Sequence, residues 1–183
     1  MIQDNTSPDA RVWHESNHAS LCLLGSYLQN KGFFQPWEAR LHLQQKALKY
    51  TPVQKLEMLF ISLLAGAKAV AHTNFILRPD PALSRAFGLP GCAEQSVIAD
   101  TLDAMTEADL CYLREAISDL FAQYSQARRH NFCQALLILD VDLSPLPASR
   151  RAEGSERAYM GRSRSKTGRK LVRVRAAQYQ ETV

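Results

Sequence analysis

The sequence predicts an α+β protein in which a helical N-terminal region is followed by a short series of β-strands. Up to about residue 130, apolar residues recur at the three- and four-residue spacing of amphipathic helices. The period then changes, because Ala135–Val141 is a continuous apolar run of strand type, which we expect to be buried on both faces if it is central in a sheet. We therefore expect a helical region over residues 1–130 and a second domain over residues 135–183.

Charge is distributed unevenly along the chain. The formal net charge is +4, yet residues 149–183 hold ten Arg or Lys against three Glu, and the remainder holds twelve basic and fifteen acidic side chains. A basic block at one end is typical of a contact with nucleic acid or an acidic membrane surface. The alternative is a solvated, disordered tail.

Cysteine usage and hydropathy indicate a soluble, cytoplasmic protein. The four cysteines lie far apart without a CxxC pair, which favours reduced thiols over a zinc knuckle or disulfides. The N-terminus lacks the pattern of a secretion signal. The longest apolar stretch, Met58–Ala71, is interrupted by Lys68 and is too short to span a bilayer.

Start signals place several helices in the first region. We predict helices at His18–Leu28 and Trp37–Tyr50, and a central helix that begins at Thr51-Pro52, an N-cap followed by proline at the first position. Thr106 is predicted to cap a later, long helix, with Asp109 in capping-box spacing. The apolar face predicted for the central helix consists of Leu56, Leu59, Phe60, Leu63 and Leu64.

The segment Leu83–Met105 is a candidate helix-turn-helix. A short helix that ends at Gly88 and a second helix that opens with Gln95 and Ser96 suit insertion into a major groove, where polar side chains reach base edges. Arg85 is the nearest candidate for a phosphate contact. The alternative is plain core packing, because helix pairs joined by glycine are common in all-α proteins.

Two carboxylates follow the apolar run. On a strand, Asp140 and Asp142 point to the same face, where they would repel each other unless a cation or a basic neighbour offsets them. This arrangement predicts a divalent-metal site. The alternative is that Asp142 caps the turn into Ser144-Pro145 while Asp140 pairs with an arginine.

The basic residues that follow are predicted to lie on a hairpin. Arg157–Arg162 and Lys170–Tyr179 can pair across a turn at Ser163–Gly168, and residues 171–175 alternate apolar residues with arginines. Arginine suits bidentate phosphate contact. If the sheet does not form, the same residues make a polycation with non-specific affinity. The predicted DNA-contacting residues of the hairpin are Arg162, Arg164, Lys166, Arg169, Lys170, Arg173 and Arg175, with Tyr159 and Tyr179 interleaved.

Taken together, LILDVDLSPLP and AEGSERAYMGRSRSKTGRKLVRVRAAQY resemble the start of the catalytic domain of insertion-sequence DDE transposases, which have a ribonuclease-H-like fold. The D-x-[ST] pattern of the family falls on Asp142, Leu143 and Ser144. The resemblance implies that Asp142 is the first of three metal-binding carboxylates, with Asp140 as an accessory acid, and that the complete site uses Mg²⁺. The stretch LSRAFGL…SVIADTLDAMT resembles the N-terminal DNA-binding part of the family less specifically.

The sequence departs from the family after Asp142. A DDE enzyme needs a second Asp and a Glu from later in the chain, whereas no aspartate follows Asp142 and the remaining glutamates are Glu153, Glu156 and Glu181. Without three ligands, two metal ions cannot be held for phosphodiester chemistry. We therefore expect an N-terminal transposase fragment with an incomplete ribonuclease-H-like domain, which does not cut DNA alone.

Three functional interpretations remain open at this point. The first is a transposase-family protein that binds double-stranded DNA at transposon ends in the bacterial cytosol, associated with the nucleoid. The second is a non-catalytic DNA-binding regulator of transposition that occupies those ends or pairs with the full-length transposase or with itself. The third is a helical interaction protein with a basic tail. None of the three requires a membrane.

Overall fold

The computed structural model describes residues 15–45, 49–160 and 163–183, and it divides into two compact units. The first unit ends at Leu120 and is helical, and the second runs from Phe121 to Val183 and carries a small antiparallel sheet. The predicted order of helices followed by strands is therefore confirmed. The helices are α1 (Ala19–Asn30), α2 (Gln35–Arg40), α3 (Pro52–Leu64), α4 (Thr73–Ile76), α5 (Pro81–Ala86), α6 (Gln95–Asp103) and α7 (Glu107–Tyr124), with 3-10 turns at Val70–His72 and Ala127–Arg129.

Helix α3 is the central helix of the first unit, and it begins where the sequence predicts. The Thr51 hydroxyl accepts a hydrogen bond from the Gln54 backbone N–H at 3.1 Å, and the Gln54 side chain accepts one from the Thr51 N–H at 3.0 Å. This capping box satisfies two N–H groups that would otherwise lack partners. Helix α3 ends at Leu64.

The buried face of α3 differs from the predicted one. Met58 and Ile61 are fully buried, whereas Leu63 is 52% exposed and Leu64 is 44% exposed. The inclusion of Leu63 and Leu64 in the buried face was therefore wrong. Residues Leu56–Leu64 are apolar around most of the helix, so their spacing does not single out one buried face. The packing of α3 against α6 decides which of these side chains are buried.

Aromatic rings form one side of the core in this unit. The Phe34 ring lies edge-on to Trp37, with centroids 5.6 Å apart, and to Phe60 at 5.9 Å. Such edge-to-face pairs add to the stabilisation from burial alone. Trp37 is buried in this core, and Trp13 lies outside the described residues.

The helix predicted over Trp37–Tyr50 is much shorter in the structure. Helix α2 ends at Arg40, whose guanidinium donates to Asp119 Oδ2 at 2.5 Å and to Glu115 Oε2 at 2.7 Å. Beyond it the Gln45 side-chain carbonyl accepts hydrogen bonds from two residues elsewhere in the unit, so tertiary contacts replace helical ones. Residues 46–48 lie outside the described part of the chain.

Helices α1 and α5 approach closely at Gly25, which is buried. A Cβ atom at this position would come within 2.5 Å of the ring of Phe87, itself only 3% exposed.

Gly25→Ala should improve helix propensity by about 1 kcal/mol, but overpacking costs about 1–3 kcal/mol, so we expect net destabilisation. Urea unfolding would measure it. Ser26→Ala, at an exposed site on the same helix, is the control and should be neutral or slightly stabilising; equal effects of the two changes would contradict the close packing.

Helix α7 begins as predicted. The Thr106 backbone N–H donates to Asp109 Oδ2 at 2.8 Å, and the Asp109 N–H donates to the Thr106 hydroxyl at 3.3 Å. Hydrogen bonds from Thr106 lower the pKa of the Asp109 carboxyl. The apolar stripe is only partly buried, because Ala116 and Leu120 are buried while Ile117 is 51% exposed.

The sheet of the second unit consists of β1 (Leu139–Pro147), β2 (Glu156–Met160), β3 (Ser163–Ala176) and β4 (Glu181–Thr182). All observed pairings are antiparallel, and β3 lies between β1 and β2. The predicted hairpin is therefore present in altered register: Ser163–Gly168, expected to be the turn, is part of β3. Gly168 is opposite both Pro147 and Glu156, which marks the point where β3 passes from one partner strand to the other.

The first strand lies further along the chain than the predicted strand Ala135–Val141, and it is at the edge of the sheet. It starts at Leu139 and continues through Pro145 and Pro147, which an edge strand tolerates because a missing N–H can face solvent. Just before it, the Gln178 side chain bonds the backbone of residues 136 and 138 and takes the place of ladder hydrogen bonds. Leu139, Val141 and Leu143 are 51%, 64% and 60% exposed, because the strand lies at the edge of the sheet and not in the central position for which burial on both faces was expected.

Candidate nucleic-acid interface

The pairing of β1 with β3 separates the sheet into a charged face and an apolar face. Residues directly opposite each other in an antiparallel pair point to the same side, and Asp140 is opposite Arg175 while Asp142 is opposite Arg173. The predicted alternation in β3 is therefore confirmed, with arginines on one side and valines on the other. The charged face contains Asp140, Asp142, Ser144, Arg157, Thr167, Arg169, Arg173 and Arg175, with Leu146 and Leu171 among them. The apolar face contains Leu139, Val141, Leu143, Val172 and Val174, and it also carries Lys166 and Lys170.

The two aspartates of the charged face are opposed by arginines. Arg173 Nη2 lies 3.9 Å from Asp142 Oδ2, and the Ser144 hydroxyl donates to the same oxygen at 3.0 Å. Both members of the ion pair are about half exposed, so its contribution to stability is small. In the alternative interpretation Asp140 pairs with an arginine. The structure does place an arginine next to a strand carboxylate, but that carboxylate belongs to Asp142.

These carboxylates do not form a metal centre by themselves. No group of three or more His, Cys, Asp or Glu side chains suited to a metal ion occurs in residues 15–45, 49–160 and 163–183. Asp140 and Asp142 supply two carboxylates, and Arg173 already provides positive charge next to one of them. The donor set thus falls short of the three carboxylates that the resemblance implies.

A cleft at the other end of the charged face has the chemistry of a phosphate site. It has a volume of about 430 Å³ and is lined by Arg150, Ser155, Arg157 and Thr167. The Ser155 hydroxyl is buried and has no hydrogen-bond partner among the described residues. Two guanidinium groups beside two hydroxyls can donate several hydrogen bonds to one anionic group. Sequence reasoning did not identify Arg150, Ser155, Arg157 or Thr167, because they meet only through the β2–β3 pairing.

The remaining predicted basic residues of this unit are distributed over both faces. Lys166 and Lys170 alternate with the arginines of β3 and therefore point to the opposite side from Arg169. Arg162 lies outside the described residues, and so does the side chain of Arg164. The structure thus brings Arg169, Arg173 and Arg175 together on one face and separates them from the two lysines.

Tyr159 and Tyr179 were predicted to lie among the DNA-contacting residues, and the structure describes the side chain of Tyr179. The side chain of Tyr159 lies outside the described part of the chain. The Tyr179 hydroxyl lies 2.7 Å from Nδ1 of His130, and the two rings are edge-on with centroids 5.7 Å apart. Tyr179 therefore takes part in a local side-chain cluster.

The helix-turn-helix candidate lacks the compact turn of that motif. The connection from α5 to α6 runs from Phe87 to Glu94, longer than the turn of about three or four residues that joins such helices. Ser96 and Arg85 are exposed, whereas the backbone N–H of Gln95 donates to the Asn74 side chain at 3.0 Å. Helix α6 packs against α3, which agrees with the core-packing alternative.

Two acidic residues outside the predicted site have structural roles. Asp80 caps α5, and although burial opposes ionisation, hydrogen bonds from Ser16, the Leu83 N–H and His18 lower the pKa of its carboxyl. Asp80 directly precedes Pro81, and this order of N-cap and proline is a local signal for the start of α5. Glu181 accepts hydrogen bonds from the Ser125 hydroxyl and from two backbone N–H groups, which lower its pKa. Nothing in its sequence context indicates that role.

The fold and the interface define a mixed α/β protein with a helical unit and a basic antiparallel sheet. Comparisons with protein-family models, with curated proteins and with solved structures found no match. Among the described residues, no helix has both the length and the apolar character needed to cross a membrane.

Proposed function

We propose that this chain is a transposase-family protein that binds double-stranded DNA through the charged face of its β-sheet. The observation that carries the proposal is the row of arginines on one face of β3, next to the Arg150–Arg157 cleft. The resemblance of LILDVDLSPLP and the following basic segment to DDE transposases supplies the context of DNA transposition.

The spacing of the arginines supports a contact with a phosphate backbone. Side chains two residues apart on a strand are separated by about 6.6 Å, close to two steps of about 3.4 Å along one DNA strand. Arg173 and Arg175 are separated in this way, and Arg169 lies four residues before Arg173 on the same face. Arginines at this spacing can contact phosphates of the same DNA strand.

The cleft extends the same row and adds hydrogen-bond donors. Thr167 is two residues before Arg169 on β3 and is directly opposite Arg157 on β2. The unpartnered Ser155 hydroxyl would acquire a partner when a phosphate oxygen occupies the cleft, which removes the cost of burying it alone. The cleft is therefore the point of the face where we expect the strongest phosphate contact.

Asp142 has a different role in the proposal. Its position beside the basic row would place a carboxylate close to the bound backbone. In the present arrangement Arg173 balances its charge. The described residues then bind and orient DNA.

The DNA-binding proposal predicts a face-specific dependence on salt. Replacement of Arg157, Arg169, Arg173 and Arg175 by Gln should lower the slope of log K against log salt by about 0.9 for each phosphate that the protein no longer neutralises. Fluorescence anisotropy with a labelled duplex, repeated over a range of salt concentrations, measures the slope. The matched control replaces Arg128, Arg129, Lys166 and Lys170, which removes the same charge from the same unit: the two arginines lie in a 3-10 turn outside the strands, and the two lysines lie on the opposite side of β3. Equal slopes for the two variants would contradict a face-specific interface.

A second function is favoured by a specific observation. Because the described carboxylates of the charged face are fewer than a metal centre needs, a non-catalytic regulator that occupies transposon ends, alone or paired with a full-length transposase, is the competing proposal. Incubation of transposon-end DNA with the full chain and Mg²⁺ discriminates between them. Cleavage that is abolished in Asp142→Asn would favour the enzyme, and binding without cleavage would favour the regulator.

A further inference from the structure

The helical unit contains a small cavity whose charged lining residues are acidic, whereas the charged face of the sheet is rich in arginine. Its volume is about 230 Å³, and its only titratable lining residues among those described are Glu38 and Glu57. Three glutamine side chains and a set of aromatic and aliphatic groups complete the wall. The lining residues are Gln29, Gly32, Phe33, Phe34, Gln35, Glu38, Gln54, Glu57, Phe87, Gly88 and Leu89.

Glu57 is the unusual member of this set. Glu57 is only 4% exposed to solvent. Its Oε1 atom is buried and has no hydrogen-bond partner in the described part of the chain. Burial, with a smaller contribution from the nearby Glu38 carboxylate, raises the pKa of Glu57 to about 7. A buried carboxylate without a partner is costly, so the position favours a ligand that supplies a donor and positive charge.

The rest of the wall favours the same kind of ligand. Phe34 and Phe87 are buried side chains whose ring faces attract cations. Gln29 and Gln35 pack against Gly88 and Gly32, where a Cβ atom would come within 2.6 Å of their amide groups. Their carbonyl oxygens add neutral acceptors near the two carboxylates.

We propose that this cavity is a binding site for an organic cation, an ammonium or guanidinium group carried on a short aliphatic chain. Glu57 accepts the hydrogen bond at the buried end, Glu38 adds negative charge from the exposed side, and the aromatic rings contact the apolar chain. A bare metal ion fits less well, because only two carboxylates line the site and the volume exceeds that of a single ion. The inference does not depend on DNA binding.

The first experiment uses n-butylammonium and n-butylguanidinium as probes, with n-butanol as the neutral analogue and MgCl₂ as the metal. Binding to the full chain is followed by NMR shift changes of Phe87 and Leu89. We expect the cations to bind at least about tenfold more tightly than n-butanol, because the alcohol has no positive charge to pair with the Glu57 and Glu38 carboxylates. Equal binding of n-butanol, or preferential binding of Mg²⁺, would overturn the organic-cation assignment.

Glu57→Gln tests the residue that carries the proposal. It preserves the shape of the side chain and removes its charge, so affinity for n-butylammonium should fall by about tenfold or more. Glu38→Gln should have a smaller effect, and Asp103→Asn, at an exposed site on α6, should have none. Unchanged affinity in Glu57→Gln, with a folded NMR spectrum, would overturn the proposal.

Two sources could supply the cation, and the same titration separates them. Spermidine represents a free polyamine, and N-acetyl-lysine methylamide represents a basic side chain of a protein partner. Tighter binding of either supports the site and identifies its source. In the wild-type chain, affinity should also rise with pH as Glu57 ionises, because the proton and the cation compete for the same carboxylate. An affinity independent of pH would contradict the contact with Glu57.

Discussion

Ile61→Ala is expected to lower the free energy of unfolding by about 2–5 kcal/mol, the range for removal of a fully buried aliphatic side chain. Ile61 has no exposed surface and lies in the core on α3 with Met58. The truncation removes apolar contacts and leaves a cavity that the neighbouring helices fill only in part. Chemical unfolding monitored by circular dichroism and tryptophan fluorescence gives the change directly.

Leu63→Ala is the matched control for that experiment. It removes a side chain of similar size from the same helix, but Leu63 is 52% exposed. We expect a loss of less than about 1 kcal/mol, because most of its apolar surface is already in contact with water. If Leu63→Ala costs as much as Ile61→Ala, the orientation of α3 in the core is wrong.

Glu57→Gln is expected to make the protein more stable than the wild type at neutral and alkaline pH. The folded-state pKa of Glu57 is raised from 4.5 to about 7, so the folded protein holds this proton more tightly than the unfolded chain. The wild type therefore loses stability as pH rises from about 4.5 to about 7, by about 3 kcal/mol in total at about 1.4 kcal/mol per pKa unit. Below this window both states are protonated, and Glu57 contributes no pH dependence.

The measurement compares the two proteins at several pH values. The difference in unfolding free energy should be small near pH 4 and should approach about 3 kcal/mol near pH 8, since Gln does not titrate. Groups with a lowered pKa, such as Asp80 and Asp109, have the opposite dependence but are present in both proteins and cancel in the difference. A difference that is constant over the whole pH range would show that Glu57 has no raised pKa.

Local signals in the sequence predicted helix starts well. The Thr51-Pro52 and Thr106–Asp109 patterns each appear in the structure with the expected hydrogen bonds. A capping interaction joins groups only three residues apart, so the sequence contains all the information that it needs. Helix ends were predicted less well, as the early end of α2 at Arg40 shows, because that end depends on partners on α7.

In the candidate sites, too, local patterns were predictable from the sequence and tertiary contacts were not. The alternation of apolar residues and arginines in residues 171–175 predicted two distinct faces, and the strand pairing confirmed them. The position of the first strand and its exposure were not predictable from its apolar run, because burial depends on whether a second layer covers the sheet. The Arg150–Arg157 cleft and the Glu57 cavity were likewise absent from the sequence interpretation, since their members are brought together by pairing and packing.

By itself, the sequence determined the order of helices and strands, the sites of helix capping and the concentration of positive charge in the last thirty-five residues, 149–183. These features depend on neighbours within a few positions or on composition. Only the tertiary structure decided that Ile61 and not Leu63 faces the core, that Arg173 lies opposite Asp142, and that Glu57 is buried without a partner. The physical reason is that burial and electrostatic environment are properties of the atoms surrounding a residue, most of which come from distant parts of the chain.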